Sequence, residues 1–407
     1  MSGRVVPRTY ALATATVAAG TSGYLVAAVL PDLATDLAVT TAQAGQSIGA
    51  FALAYALAAP VLAVATARWD RRTLLVVALL VTCLGNVAAA AADGLGALLA
   101  ARVLTAVGAA ATTPAATALA AQVNVADLRA RAMAVVTGGL TAATVLGVPA
   151  GRLVADELGG HRPAFLLAAL LCAAAALLVG LLAPTAPGDA PVNLGARLEV
   201  LRDRATLGLL VVSLLACLGT FTAYGYLSAL VVDGDTDADL ALVLLAFGVG
   251  GVIGNHLGGR AADRFGTRRP LVVTLTGCAV LLSSLGLLAH GLIGSVGLTV
   301  AAGVWGALFW AFNPPLFGAL VQRDPARSGL LLGLNASFIY LGIAGAATLG
   351  GTVTDRIGIS AVPLAAAVIT LAAALAAAVS TRHRSGHRPA GRTSPRSAHG
   401  RPRLVAR

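Results

Sequence analysis

Charge is scarce in this chain and lysine is missing from it: the 28 basic residues are all arginine, 17 residues are acidic, and charged residues make up 11% of the 407. A water-soluble domain carries about 25% charged residues, so a soluble globular fold is excluded. Cysteine is nearly as sparse, with Cys83, Cys172, Cys217 and Cys278 set far apart inside apolar runs. No Cys-x-x-Cys or Cys/His spacing links them, which argues against metal and disulfide roles and leaves small apolar packing. Carboxylates are missing from the cores of the apolar runs, and with them the buried anionic pocket that a dication would need. No carboxylate cluster, metal set or nucleophile with its base marks an enzyme acting on lipid-linked substrates.

What is present is hydrophobic: 58% of the residues, with a mean hydropathy of +0.86. About 20 apolar residues in a helix cross the hydrocarbon core. Twelve runs of that length are predicted, over Thr9–Leu30, Ala44–Ala65, Thr73–Ala92, Gly96–Gln122, Ala130–Val154, Ala164–Leu182, Ala205–Val232, Leu240–Gly259, Pro270–Ala289, Ile293–Val321, Gly329–Gly351 and Ile359–Ser380. Arg4 and Arg8 precede the first run as they would a secretory signal. The run is too long for a signal core, however, and passes into Pro31-Asp32 without a cleavage site, so it is kept as a span.

Arginine placement orients the chain. With both termini in the cytosol, Arg152, Arg162 and Arg356 fall outside and Arg102 within the membrane, leaving the other 24 of the 28 inside. The loop Asp233-Gly234-Asp235-Thr236-Asp237-Ala238-Asp239, acidic without a base, fits the outside. It lacks the closing Glu of a calcium loop. Residues 184–204, with Pro184, Pro187 and Pro191, read as a cytosolic linker between two bundles, 1–183 and 205–381. From 382 to 407 arginine mixes with Ser, Pro, Gly and His, a composition for a disordered basic tail on the cytosolic side, with anionic lipid as its sharper partner and nucleic acid disfavoured for want of interleaved aromatics.

Two cytosolic loops carry the strongest local signal. Gly259-Arg260-Ala261-Ala262-Asp263-Arg264-Phe265-Gly266-Thr267-Arg268 links two apolar runs, and Arg68-Trp69-Asp70-Arg71-Arg72 occupies the matching place about half a chain earlier. Related halves carrying the same loop are the organisation of many secondary transporters. At these residues the chain resembles the major facilitator superfamily, and within it the twelve-span drug/proton antiporters that include arabinose-efflux and chloramphenicol-export permeases. The family's G-x-x-x-D-R-x-G-x-R loop is met by Gly259, Asp263, Arg264, Gly266 and Arg268. In the first half Arg68, Arg71 and Arg72 survive, with Ala67 at the Asp position and Asp70 at the Gly position. The resemblance implies an all-α membrane protein of twelve transmembrane helices in two pseudo-symmetric six-helix bundles, N-in and C-in, with these loops as charged cytosolic latches.

The fifth span holds Gly139, Gly147, Pro149 and Gly151 in a run similar to the antiporter signature of that branch. Bare glycine faces let a neighbour pack closely, and proline bends the helix, which makes it a candidate packing hinge. Arg102 stands about 10 Å into the fourth span at helical rise, and a cation there is expensive and functional by default. It matches the fourth-span arginine that the resemblance associates with proton coupling. The acid common in the family's first span is replaced by Gly23, within Thr21-Ser22-Gly23-Tyr24. Asp32 and His256 are the alternative proton carriers, and Asp263 is a further carboxylate near the cytosolic end. Tyr24, Thr220, Thr222, Tyr224, Trp305, Trp310 and Asn313 are the expected lining of a midplane substrate cavity, because rings and hydroxyls cluster in spans one, seven and ten.

The expectation is a proton-coupled exporter of a small amphipathic compound working by alternating access as a monomer in the cytoplasmic membrane of a bacterium. It needs no cofactor or metal, its partners being substrate, protons and the bilayer. A sugar or metabolite symporter or uniporter is the alternative in the same class; a non-transporting sensor or a membrane-embedded enzyme is the alternative from another.

Overall fold

The structure is a computed structural model describing residues 5–188, 199–233, 237–287, 294–324 and 327–380. Residues 189–198 of the expected linker, the whole expected tail from residue 382 and the middle of the outer acidic loop lie outside these residues. No strand occurs among the described residues. Eleven helical stretches are long and apolar enough to cross a bilayer, and a twelfth span is the pair Arg8–Ala27 and Leu30–Asp36, bent by 64°. All twelve expected spans are therefore present.

The first half comprises α1 (Arg8–Tyr24), α2 (Leu30–Asp36), α3 (Thr41–Ala65), α4 (Arg71–Ala90), α5 (Leu95–Val123), α6 (Arg129–Ala142), α7 (Val148–Leu158) and α8 (His161–Leu182). The second comprises α9 (Arg204–Tyr224), α10 (Leu227–Asp233), α11 (Leu240–Phe265), α12 (Arg268–Leu287), α13 (Ser295–Trp310), α14 (Asn313–Arg323), α15 (Ser328–Arg356) and α16 (Val362–Ser380). Short polar side chains start several of them. Thr40 and Gln43 form a reciprocal capping box on α3, while Asp70, Asp203 and Asp239 accept N–H groups in the first turns of α4, α9 and α11.

Breaks fall where the sequence weakens the helical ladder. Span one tightens into a 3₁₀ turn at Leu25–Ala27 and restarts at α2, with Pro31 in its first turn. Span five passes through a π-helical turn, Ala143–Gly147, immediately before Pro149, whose ring nitrogen has no proton to donate. Span ten is interrupted at Ala311–Phe312 ahead of Pro314 and Pro315.

Within the halves, small residues bring helix axes together, the way packing proceeds where lipid competes on equal terms with apolar side chains. Gly85 lies against Thr105, and Gly108 against Thr82, joining α4 and α5; Gly254 and Gly258 lie against Ala307 and Ala311, joining α11 and α13. The glycines of span five do the same against span one. Gly139 meets Thr16, Gly147 meets Thr21 and Gly151 meets Leu25, so α6, the π turn and α7 rest along α1 and its 3₁₀ extension.

The halves meet chiefly toward the end that the arginines assign to the outside. There Tyr226, fully buried, is wedged between Gly45 of α3 and Gly350 and Gly351 of α15, and donates its hydroxyl to the Ala347 carbonyl at 2.9 Å. Gly248 of α11 presses on the Thr144 and Val145 backbone. Further toward the cytosol, Tyr55 of α3 stacks on Tyr340 of α15 with ring centroids 3.6 Å apart. Beyond that pair, Leu57, Val61, Met133 and Leu257 are exposed. The molecule is closed outside.

A Cβ at Gly147 has no room beside the Thr21 side chain, whereas Gly138, nine positions earlier on the same span, faces open space. Gly147→Ala is expected to lower the melting temperature of the purified protein, at a cost of about 1–3 kcal/mol for overpacking. Gly138→Ala should leave it unchanged or raise it. Equal melting temperatures for the two variants would show that span five does not depend on its contact with span one.

Candidate functional site

A narrow central cavity of about 20 Å³ lies between the halves, walled by rings. Gly23 and Tyr24 come from span one, Phe51 from α3, Phe221 and Tyr224 from α9, and Tyr340 from α15. Tyr24 stacks on Phe221 at 5.9 Å, and Phe221 meets Tyr224 edge to face at 5.5 Å. The walls are apolar faces with hydroxyl tips, suited to a flat amphipathic molecule.

Of the expected lining, Tyr24 and Tyr224 are on this wall and the others are set behind it. Thr220 is fully buried with its hydroxyl 3.9 Å from the Cys278 sulfur, and Thr222 donates to the Leu218 carbonyl at 2.6 Å. Trp305 is buried against Phe247 and Tyr224, at 5.0 and 6.4 Å. Trp310 packs on Phe309 with its indole nitrogen buried and unpartnered, and Asn313 is buried at the start of α14. The sequence favoured spans seven and ten because rings cluster there, but those rings pack on one another. The cavity also takes Phe51 and Tyr340, each one of two rings in alanine- and glycine-rich stretches of spans two and eleven.

Arg102 is completely buried. Its guanidinium donates to the Ser22 carbonyl at 2.8 Å and the Gly23 carbonyl at 3.4 Å. It lies 4.4 Å from the Phe51 ring centroid and 5.9 Å from that of Phe165. Its Nε has no hydrogen-bond partner. Where span one tightens into its 3₁₀ turn, carbonyls lose regular helical partners, and these carbonyls, not a carboxylate, hold the buried cation. Phe51 belongs both to this sandwich and to the cavity wall.

The expected proton carriers are not brought to Arg102. Asp32 is bound at 2.5 Å by Arg152 of α7, which also pairs with Asp156 and donates to the Ala28 carbonyl. His256 is exposed on the cytosolic part of α11. A pair that the sequence did not single out is His161 and Asp36. His161 Nδ1 lies 2.6 Å from Asp36 Oδ2, and the imidazole is fully buried. His161 drew no notice because it opens an apolar run, and Asp36 lies 125 positions away in the chain.

The two cytosolic loops differ from one another. In the second, Gly259 is half-buried, Asp263, Arg264, Gly266 and Arg268 are exposed, Arg264 lies over Phe265 at 5.3 Å, and no ion pair joins Asp263 to another described residue. The first loop grips the chain's own linker. Asp70 accepts from Thr73 N at 2.9 Å and from Ala186 N at 2.6 Å, while Arg71 N donates to the Ala186 carbonyl at 2.8 Å. Arg72 donates to the Gly180 carbonyl, and Arg68 is exposed. Burial pushes the Asp70 carboxyl up, but the hydrogen bonds from Thr73, Ala186 and Arg72 outweigh it and hold its pKa below the ordinary value.

Because that pKa is depressed, the stabilisation is present above the ordinary carboxylate range and is lost as pH falls through the lowered value. Asp70→Ala is expected to cost about 1 kcal/mol at neutral pH, the worth of a helix cap. In denaturation of the two proteins, their gap should narrow as the medium is acidified below about pH 4. A gap independent of acidity would show that the carboxylate contributes nothing as an anion.

The profile of the Major Facilitator Superfamily matches residues 12–344 and 209–405. An uncharacterized MFS-type transporter, YbcL of Bacillus subtilis, is 33% identical over 369 residues, covering 90% of this chain and 94% of that protein. A chloramphenicol resistance protein of Streptomyces lividans is 33% identical over 377 residues, covering 90% and 94%. Among solved structures, a bacterial homologue of the human lysosomal transporter Spinster, inward-facing and unoccupied, superposes with a TM-score of 0.70 at 17% identity, covering 92% of this chain and 96% of that one. A D-xylose-proton symporter does so at 0.71 and 15%, covering 91% and 96%. At such identities the structural likeness speaks for the fold alone.

Proposed function

This chain belongs to the major facilitator superfamily, a multi-pass transporter of the bacterial cell membrane rather than an enzyme, and on that premise we propose that it exports a small amphipathic compound in exchange for protons. The observation that carries this reading is the ring-walled cavity between the halves, closed on the outer side and backed, behind Phe51, by the buried Arg102. Rings bind the apolar body of a substrate and hydroxyls its polar edge, and without an acid in the wall a neutral or weakly anionic compound is favoured over a dication. The 33% identity to a chloramphenicol resistance protein makes chloramphenicol the first compound to try.

In this mechanism the halves rock about the cavity. The stripe of Gly139, Gly147 and Gly151, with the π turn before Pro149, is the surface on which span five slides along span one. Arg102 is the coupling charge. Its hold on the Ser22 and Gly23 carbonyls ties the fourth span to the part of span one that lines the cavity, so a change of charge or contact at either is felt by the other. The exposed Asp263 and Arg264 become a latch when the cytosolic ends approach, and energy comes from the ion gradient without a cofactor. A sugar or metabolite symporter or uniporter is the second reading, one that would use the same hydroxyl-tipped cavity without export.

The deciding experiment uses the protein in liposomes under an imposed pH gradient, with internal pH recorded as chloramphenicol or a sugar is added. Proton movement driven by chloramphenicol and lost in Arg102→Ala is the expected result; proton movement driven by the sugar alone would favour the second reading, and neither would sink both. A second measurement tests the wall. Tyr340→Ala, which removes one ring from the cavity, should weaken chloramphenicol binding by about 1–3 kcal/mol, roughly 5- to 150-fold, while the buried Trp305→Phe should change it little.

A further inference from the structure

Exchange for protons needs a group that takes a proton from the outer side, and the cavity wall contains no carboxylate or histidine. Resting on the exchange reading, we infer that His161, paired with Asp36, is the outer proton-loading site, and that loading it holds the outer side closed.

The site is built by the chain around one oxygen. Asp36 Oδ2 receives both the backbone N–H of His161, at 3.1 Å, and its Nδ1, at 2.6 Å. Gly159 and Gly160 precede the histidine with φ of 76° and 78°, a conformation open to glycine but strained for other residues, and a side chain on Gly160 would strike the Asp36 carboxylate. The imidazole is 0% exposed, whereas the Asp36 side chain is 36% exposed, so the carboxylate is the route to outer water. His161 Nε2 is buried with no partner. Its ring stands edge-on to Phe165 at 6.1 Å, and Phe165 in turn flanks the Arg102 guanidinium.

Position gives the pair its consequence. Asp36 ends α2, the detached outer piece of span one, and α2 packs against α10 of the other half beside the Tyr226 wedge. Neutral imidazole, with its proton on Nδ1, gives the ionised Asp36 a hydrogen bond that the carboxylate charge alone assists. Uptake of one proton from outer water, at Nε2, makes it imidazolium, and the same contact becomes an ion pair between two opposite full charges. Loading therefore fastens α2 in the place where it closes on α10, and by linkage closure favours loading.

The surrounding charges leave Asp36 as the partner in direct contact. Arg162, next in sequence, is turned to Asp93 at 2.6 Å on the rim. Asp32 of α2 and Asp156 of α7 are engaged by Arg152, while Glu157 of α7 and Asp233, the last residue of α10, are exposed. The charged residues of α1 and α4, also packed on α8, are Arg8, Arg71 and Arg72 at the cytosolic ends. Arg102 of α5 lies behind Phe165.

The test places spin labels at Thr35→Cys and Val232→Cys, exposed positions on α2 and α10, in full-length protein in lipid nanodiscs with the four native cysteines changed to alanine. Between pH 8 and pH 5 the ratio of the short-distance to the long-distance population is expected to rise roughly tenfold. His161→Gln should flatten that dependence, and so should Asp36→Asn, which changes an exposed side chain and spares the core if His161→Gln fails to fold. Asp32→Asn should retain it. Wild type without pH dependence, or Asp36→Asn and His161→Gln titrating as wild type does, would overturn the assignment. The liposome result separates the two readings: substrate-driven proton movement with a pH-insensitive outer gate sinks the loading site alone, while a His161-dependent gate without proton movement sinks proton exchange alone.

Discussion

A guanidinium stays within hydrocarbon only if its N–H groups find acceptors, at a cost of about 3 kcal/mol for an arginine at the centre of a span. Here the acceptors are the Ser22 and Gly23 carbonyls, where span one loosens before its break. Much of the site follows from that bond. Span one must present these carbonyls to α5, which fixes its rotation and turns Tyr24 into the cavity. The glycines of span five then fit along its other side. Phe51 is held by the cation on one face and walls the cavity with another. Gly23 contributes through its backbone, so the replacement of an acid at that position changes what the cation holds without leaving it bare.

The fold was legible because hydrophobic run length is a direct physical requirement of the bilayer. All twelve expected spans are found as helices, and Pro31 and Pro149 lie next to real interruptions. The candidate site was legible only in part. Arg102 stood out because a charge inside an apolar run is rare and costly. Tyr24 and Tyr224 stand on the cavity wall while Trp305 and Trp310 stand behind it, since a cluster of rings in one helix mostly packs on itself and its neighbours. A cavity between two bundles collects one or two residues from each of several helices, and Phe51 and Tyr340 lie 289 positions apart in sequence while their rings are 6.2 Å apart. The Asp36–His161 pair was hidden for the same reason: no local pattern announces a contact made through the third dimension.

The two loops share a place in the repeat but have different work in this conformation. In the second half Asp263 and Arg264 stand in solvent. In the first half the carboxylate has moved along the loop to Asp70, where it caps α4 and receives the backbone of the chain leaving α8. One substitution pattern, Ala67 and Asp70 in place of the family's Asp and Gly, thus exchanges a contact that a moving helix could make for one with the chain's own connector.

That clasp has a mechanical consequence. By fastening Ala186 to the first loop, Asp70 joins the cap of α4 to the chain leaving α8. The cytosolic ends of the third and sixth spans are thereby coupled through one carboxylate, so a displacement of either is passed to the other at the membrane surface.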